Sequence, residues 1–149
     1  MTVRVQRDDF DPGAELDALL ADRKDIGGVV SFIGLVRDFS DSRDVGALTL
    51  EHYPGMTEKA LAAVEAEAMK RFDIQTSLIV HRHGRMEPGE RIVLVIAASA
   101  HRGEAFRAAE FLIDWLKTRA PFWKSEDTPA GPQWVEARKA DDAATERWS

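Results

Sequence analysis

The stretch from Ser99 to Glu126 constrains the fold of this chain more than any other. It begins where an apolar run, Arg91 to Ala98, stops, and that run predicts a buried strand. Ala105, Phe106, Ala109, Leu112, Ile113 and Leu116 then recur at helical spacing, which predicts a helix with one stripe against a core. Pro121 ends the helix, because the residue before a proline is biased towards extended structure. Phe122 to Glu126 follows as an aromatic-rich strand, with Phe122, Lys124 and Glu126 on one face.

Two residues here break local rules. The helix opens on His101 and Arg102, although positive charge is disfavoured at a helix N-terminus. Free backbone N–H groups beside a cation make a seat for a phosphate or carboxylate. Lys124 places a charge inside the apolar run Phe122-Trp123-Lys124. The plainer alternative is a solvated Arg102 and a Lys124 whose stem lies along an edge strand with its ammonium in water.

At 149 residues the chain is expected to be one domain, and it is long enough to bury a core. Hydrophobic residues make up 44% and charged residues 31%, the balance of a soluble globular protein. A net charge of −6 argues against a general nucleic-acid or anionic-membrane binder, so an anion site must be a local cluster of cations on an acidic body. The absence of cysteine excludes disulfides, thiolate metal sites and cysteine nucleophiles. Any sulfur chemistry therefore needs sulfur brought from elsewhere. No apolar run approaches membrane-spanning length, and Met1 to Asp11 lacks the apolar core of a signal peptide. The expected location is the cytoplasm.

Read in order, Val3 to Gln6 is an opening strand, and Asp11-Pro12 starts a helix with Asp11 as its cap. Leu16, Leu19 and Leu20 form the stripe of that helix, which ends near Lys24. Val29 to Arg37 reads as a strand apolar on both faces, with Gly34 marking a bulge or a close backbone approach. Asp38 to Gly46 is polar and is expected to be a mobile loop. Ala47 to His52 is a strand, and Thr57 is placed to cap a helix from Glu58 to Arg71 with Leu61, Val64, Ala68 and Met69 as its stripe. Thr76 to His83 and Arg91 to Ala98 are strands joined by a hairpin-type connection. His81 and His83 share a face of the first; an exposed face is the expectation, since a catalytic zinc needs a third protein ligand that is not nearby in sequence. Gln133 to Glu136 is a last short strand, and Lys139 to Ser149 is expected to fray as a flexible tail. Together these elements predict an α+β domain with a mixed, largely antiparallel sheet and about three helices.

Five motifs in this order carry a resemblance: Phe32-x-Gly34-x-Val36-Arg37; Leu50-Glu51-His52-Tyr53-Pro54-Gly55-Met56; His81-Arg82-x-Gly84; Ser99-Ala100-His101-Arg102; and Lys117-x-x-x-Pro121-Phe122-Trp123-Lys124-x-Glu126. From Phe10 to Glu136 the chain resembles the large, catalytic subunit family of molybdopterin synthase. The resemblance implies an α/β hammerhead fold and a central homodimer within a heterotetramer. A small ubiquitin-like subunit would dock at each end and insert a C-terminal Gly-Gly thiocarboxylate. The implied reaction is sulfur transfer from that tail to cyclic pyranopterin monophosphate, forming the dithiolene of molybdopterin. No metal or cofactor of the protein's own is implied.

By the same resemblance Lys117 and Lys124 are catalytic. Leu35, Val36, Arg37, His101, Arg102, Ser125 and Glu126 bind substrate. The residue chemistry fits, because a phosphorylated substrate and an anionic tail both suit a cluster of Arg37, His101, Arg102, Lys117 and Lys124. Lysine also suits acyl and sulfur transfer, since burial and neighbouring cations lower its pKa. For Lys117 the plainer reading is a cation favoured in a last helical turn, three residues after Asp114. The chain ends Arg147-Trp148-Ser149 rather than Gly-Gly, so it is not expected to be the sulfur donor. Two rivals remain open: a non-catalytic module that captures a ubiquitin-like tail, and a lysine Schiff-base enzyme acting on a small phosphorylated carbonyl compound.

Overall fold

The computed structural model describes residues 2–37, 39–40, 43–44, 46–128, 131–135 and 139–149. The first half runs β1 (Val3–Gln6), α1 (Pro12–Leu20), β2 (Gly28–Leu35), β3 (Phe39–Ser40), β4 (Arg43–Asp44), β5 (Leu48–His52) and α2 (Met56–Arg71). The second half runs β6 (Thr76–Arg82), β7 (Gly84–Met86), β8 (Arg91–Ser99), α3 (Arg102–Arg119), β9 (Phe122–Thr128), β10 (Gly131–Val135) and α4 (Lys139–Glu146).

Side-chain alternation on β6 and β8 sets the layers. Ile79, Val93, Val95 and Ala97 point to one side, where Leu61, Val64 and Ala68 of α2 and Ala108, Phe111, Leu112 and Leu116 of α3 cover them. Leu78, Val80, Leu94 and Ile96 point to the other, under Phe10 and the α1 residues Leu16 and Leu19. Each fully buried Leu, Ile or Phe in such layers contributes about 1.5–3 kcal/mol. The sheet between them has the order β1-β6-β8-β2, with β1 parallel to β6 and the other pairs antiparallel.

A second sheet, β10-β9-β5-β7, is antiparallel throughout. It is fed by excursions from the first: the connection between β6 and β8 leaves to pair as β7 with β5, so it is more than a hairpin turn. The expected α+β architecture with largely antiparallel pairing is what the chain forms. Its strands divide between two four-stranded sheets and a two-stranded ladder, and four helices are present among the described residues.

Several local expectations need correction. β2 is an edge strand, and Phe32, Ile33 and Leu35 are 40%, 39% and 52% exposed; the strands buried on both faces are β6 and β8. Gly34 marks both things proposed for it. The register shifts at Gly34/Leu35, and a Cβ on Gly34 would lie 2.8 Å from Val93 Cγ1. The α3 stripe includes Ala108 and Phe111, while Phe106 faces solvent. α1 is shorter than expected and stops at Leu20. Gly55, at φ +84°, precedes α2, and Thr57 lies inside the helix with its Oγ1 donating to the Pro121 carbonyl. Met69 of that helix is exposed.

In the expected loop Asp38 to Gly46, β3 and β4 pair as a short ladder; Asp38, Asp41, Ser42 and Val45 lie outside the described residues, as does Glu136. The expected frayed tail forms α4 instead. Trp148 packs edge-on against Phe72 and Phe111 and donates from Nε1 to Asp114 Oδ2 at 2.7 Å. An apolar ring near the C-terminus had somewhere to go, which the polar composition of the segment concealed.

Candidate active site

α3 is one unbroken helix of 18 residues, and Gly103 lies inside it without interrupting it. Its N-terminal end carries His101 as an extended N-cap residue and Arg102 in the first turn, both exposed. The His101 side chain makes no capping hydrogen bond, while its backbone N–H donates to Ser99 Oγ at 3.2 Å. This end is packed tightly on the start of β2: a Cβ at Gly28 would sit 3.2 Å from Arg102 Cα. Lys117 occupies the last turn, half-buried. The rise from His101 to Lys117 is about 24 Å.

The inner face of the second sheet is set by register. Phe122, Lys124 and Glu126 of β9 stand opposite His52, Leu50 and Leu48 of β5, so all six project to one side. Leu48 and Leu50 are buried with Val36 and Met86. Val36 is fixed there by its backbone, donating to the Glu90 carbonyl at 2.9 Å and accepting from Gly89 N–H at 2.8 Å. The adjoining Arg37 and Leu35 are exposed. Ser125, opposite Thr49, alternates to the other face of β9.

Glu126 is only 6% exposed, and its Oε2 has no hydrogen-bond partner among the described residues. A buried unpaired acceptor costs about 1–3 kcal/mol.

The charges of Lys117 and Lys124 both bear on a histidine that sequence alternation predicts on an exposed face. His81 is 4% exposed, and its ring stacks on Phe122 with centroids 3.8 Å apart and planes at 19°. Its Nδ1–H donates to the Arg82 carbonyl at 2.8 Å. Burial, with the charges of Lys117, Lys124 and His52 adding to it against that hydrogen bond, pushes the imidazole down to about 3. His52 and His83 pack ring to ring at 4.2 Å, and burial, then His52, lowers His83 as well. No group of three metal-binding side chains occurs among the described residues.

Lys124 and Glu126 thus share the inner face of the second sheet, and Lys117, from α3, adds its charge with Lys124 at His81. His101 and Arg102 stand at the far end of α3. The histidine cluster was missed because period-two spacing identifies a shared face without saying what covers it.

The family model described as "MoaE protein" matches residues 5–119. The chain is 60% identical over 148 residues to "Molybdopterin synthase catalytic subunit" of Pseudomonas aeruginosa, covering 99% of each. Among solved structures it superposes on "Molybdopterin biosynthesis MoaE protein" from Burkholderia ambifaria with a TM-score of 0.85. That pair shares 52% identity, with 99% of this chain and 97% of the other covered. It also superposes on a molybdopterin synthase from Staphylococcus aureus with a TM-score of 0.81 and 30% identity, covering 89% and 95%.

Proposed function

The chain belongs to the MoaE protein family, and from that premise we propose that it is the catalytic subunit of a molybdopterin synthase, a sulfurtransferase. Sulfur passes from the C-terminal thiocarboxylate of a small ubiquitin-like partner to cyclic pyranopterin monophosphate, and the product is the dithiolene of molybdopterin. A chain with no cysteine has no thiol of its own to pass on, which fits sulfur brought by such a partner. The relatives' designation as a catalytic subunit fits an enzyme that works with a second polypeptide.

The observation that carries the reading is that Lys124 and the orphan carboxylate of Glu126 share one face of β9, with Lys117 and Lys124 both adding charge at buried His81. Two ammonium groups attract the thiocarboxylate tail and stabilise negative charge that develops as its acyl carbon is attacked. Lys117 acts at that acyl centre. Glu126 accepts a hydrogen bond from the substrate, and Leu35 and Val36 wall the site; Ser125, on the other face of β9, takes no part in that wall. Arg37, exposed two residues beyond β2, pairs with substrate anion.

His101 and Arg102 serve the same chemistry from a second copy of the chain. One small substrate cannot touch both ends of an unbroken α3, whereas a two-fold dimer can bring the N-terminal end of one helix to the C-terminal end of its mate. The exposed Phe32, Ile33 and Leu35 on edge strand β2 supply apolar surface for such a contact. This active dimer, with a small subunit at each end, works in the cytoplasm. Among the described residues no helix is long and apolar enough to cross a membrane.

The test is reconstitution: the chain is mixed with a thiocarboxylated small subunit and the pterin precursor, and dithiolene is assayed. Formation of molybdopterin is expected. Tail binding without product would favour the capture module, and borohydride-trappable adduct with precursor alone would favour the Schiff-base enzyme.

A further inference from the structure

The motif Leu50 to Met56 ends in a turn to which the proposed reaction assigns no task, and that turn closes on Thr57. Thr57 is the second residue of α2 and is 0% exposed. Its backbone N–H donates to the Tyr53 carbonyl at 2.9 Å, and its Oγ1 accepts from the Tyr53 N–H at 3.0 Å. The hydroxyl proton goes elsewhere: Oγ1 donates to the carbonyl of Pro121 at 3.1 Å. A hydroxyl has one proton to give, so this buried group is committed on both sides.

Pro121 is the corner between α3 and β9. The Phe122 N–H donates back to the Ala120 carbonyl at 2.9 Å, so the chain turns tightly about Pro121. Lys117 lies four residues before that corner and Lys124 three residues after it. On the other side, Tyr53 directly follows His52, whose partner across the β5–β9 ladder is Phe122. Proline has no N–H with which to extend that ladder. Beyond the pair of His52 and Phe122, the Thr57 hydroxyl ties the corner to the end of β5.

We propose that Thr57 is a positioning residue for sulfur transfer: its hydroxyl pins the Pro121 corner to the end of β5 and thereby holds Lys117 and Lys124 in their relative placement. It acts through the backbone of the corner rather than on the substrate. Without the hydroxyl, the Pro121 carbonyl and the Tyr53 N–H lose their partner in a buried place, and the corner must move to find another. A misplacement of about 1 Å in a reacting group can cost up to about a hundredfold in rate. The consequence for turnover rests on the synthase reading, but the tie itself does not.

The first test is amide hydrogen exchange and needs no sulfur donor. In the unaltered protein the Tyr53 N–H should exchange at least about a hundredfold more slowly than a free peptide amide. Thr57→Val keeps the branched shape and removes the hydroxyl, and Tyr53 should exchange about tenfold faster there than in the parent. Thr57→Ser keeps the hydroxyl and should stay near the parent rate. A Tyr53 amide unprotected in the unaltered protein would overturn the proposal.

The second test is kinetic. In the reconstituted synthase, kcat should fall about tenfold in Thr57→Val while the KM values for precursor and small subunit change little. Thr57→Ser should keep most of the parent kcat, because the hydroxyl and not the methyl makes the tie. A folded Thr57→Val protein that melts earlier yet turns over at the parent kcat would show a purely structural role and overturn the proposal. A Thr57→Ser protein as slow as Thr57→Val would overturn it too. Should Thr57→Val not fold, Thr57→Ala takes its place under the same expectations. An unaltered protein that makes no dithiolene would count against the synthase reading, and the Tyr53 exchange would still judge the tie.

Discussion

His101 and Lys117 stand at opposite ends of the same unbroken helix, one exposed before its first turn and the other half-buried in its last. A helix broken at Gly103 would have let His101 fold back towards Lys117, but Gly103 is helical. Neither group can be moved along a rigid helix, so a site that uses both must draw them from different chains. The shared site follows from the length of α3, once both residues are required.

Lys117→Ala and Lys124→Ala should each abolish or severely reduce sulfur transfer with the fold retained. Lys117 is expected to be the more sensitive, since the proposed function assigns it to the acyl centre. Single-turnover dithiolene formation, alongside circular dichroism for fold, measures this. Near-normal turnover by Lys117→Ala would remove it from the chemistry.

Arg102→Ala should weaken precursor binding more than small-subunit binding, because its proposed partner is a phosphate. Loss of a charge-assisted contact costs about 1.5–3 kcal/mol, or roughly ten- to a hundredfold in affinity. Titration calorimetry with each partner separates the two effects. Equal weakening of both would contradict an anion seat at this helix end.

Acid should destabilise the protein through His81. Its folded pKa of about 3 lies below the ordinary histidine value of 6.5, so as pH falls through 6.5 the unfolded chain takes up a proton that the native protein refuses. The stability contributed by the neutral buried ring is complete above pH 6.5 and is lost progressively towards pH 3. By pH 5 the loss is about 2 kcal/mol. Urea denaturation at pH 7 and pH 5 should show this drop in the parent and a smaller one in His81→Phe. Equal drops would mean that His81 is not buried neutral.

Trp148→Ala should lower stability by about 2 kcal/mol, less than a fully buried tryptophan would lose because this ring is half-buried. The change removes the edge contacts to Phe72 and Phe111 and the bond to Asp114. Asp114 keeps a second partner, Arg147 at 2.9 Å, so the helix should stay folded at 25 °C. Thermal denaturation reads the effect, and an unchanged midpoint would show that the C-terminal segment does not brace α3.

Much of the framework was legible because local signals agreed. Asp11 caps α1 as its position before Pro12 suggests, accepting from Gly13 and Ala14 N–H, and Pro121 ends α3. What periodicity could not supply was which surface each apolar residue meets. Val29 to Leu35 and Ile92 to Ala98 look alike in sequence, yet one is an edge and the other the centre of the sheet, a difference decided by topology. His81 and His83 alternate as an exposed face would, and only the arrival of β9 from the second sheet buries His81. Lys124 and Glu126 were placed on one face correctly, because strand alternation is local. The orphan state of Glu126 needed the packed structure.

Mixing Lys117→Ala chains with His101→Ala chains, under conditions where dimers exchange, tests the shared site most directly. A mixed dimer holds one site lacking both groups and one intact site. Half of randomly paired dimers are mixed, so activity should recover to about a quarter of the parent value. Verified mixed dimers that stay as inactive as the two parent variants would contradict the account and place His101 in the service of its own chain.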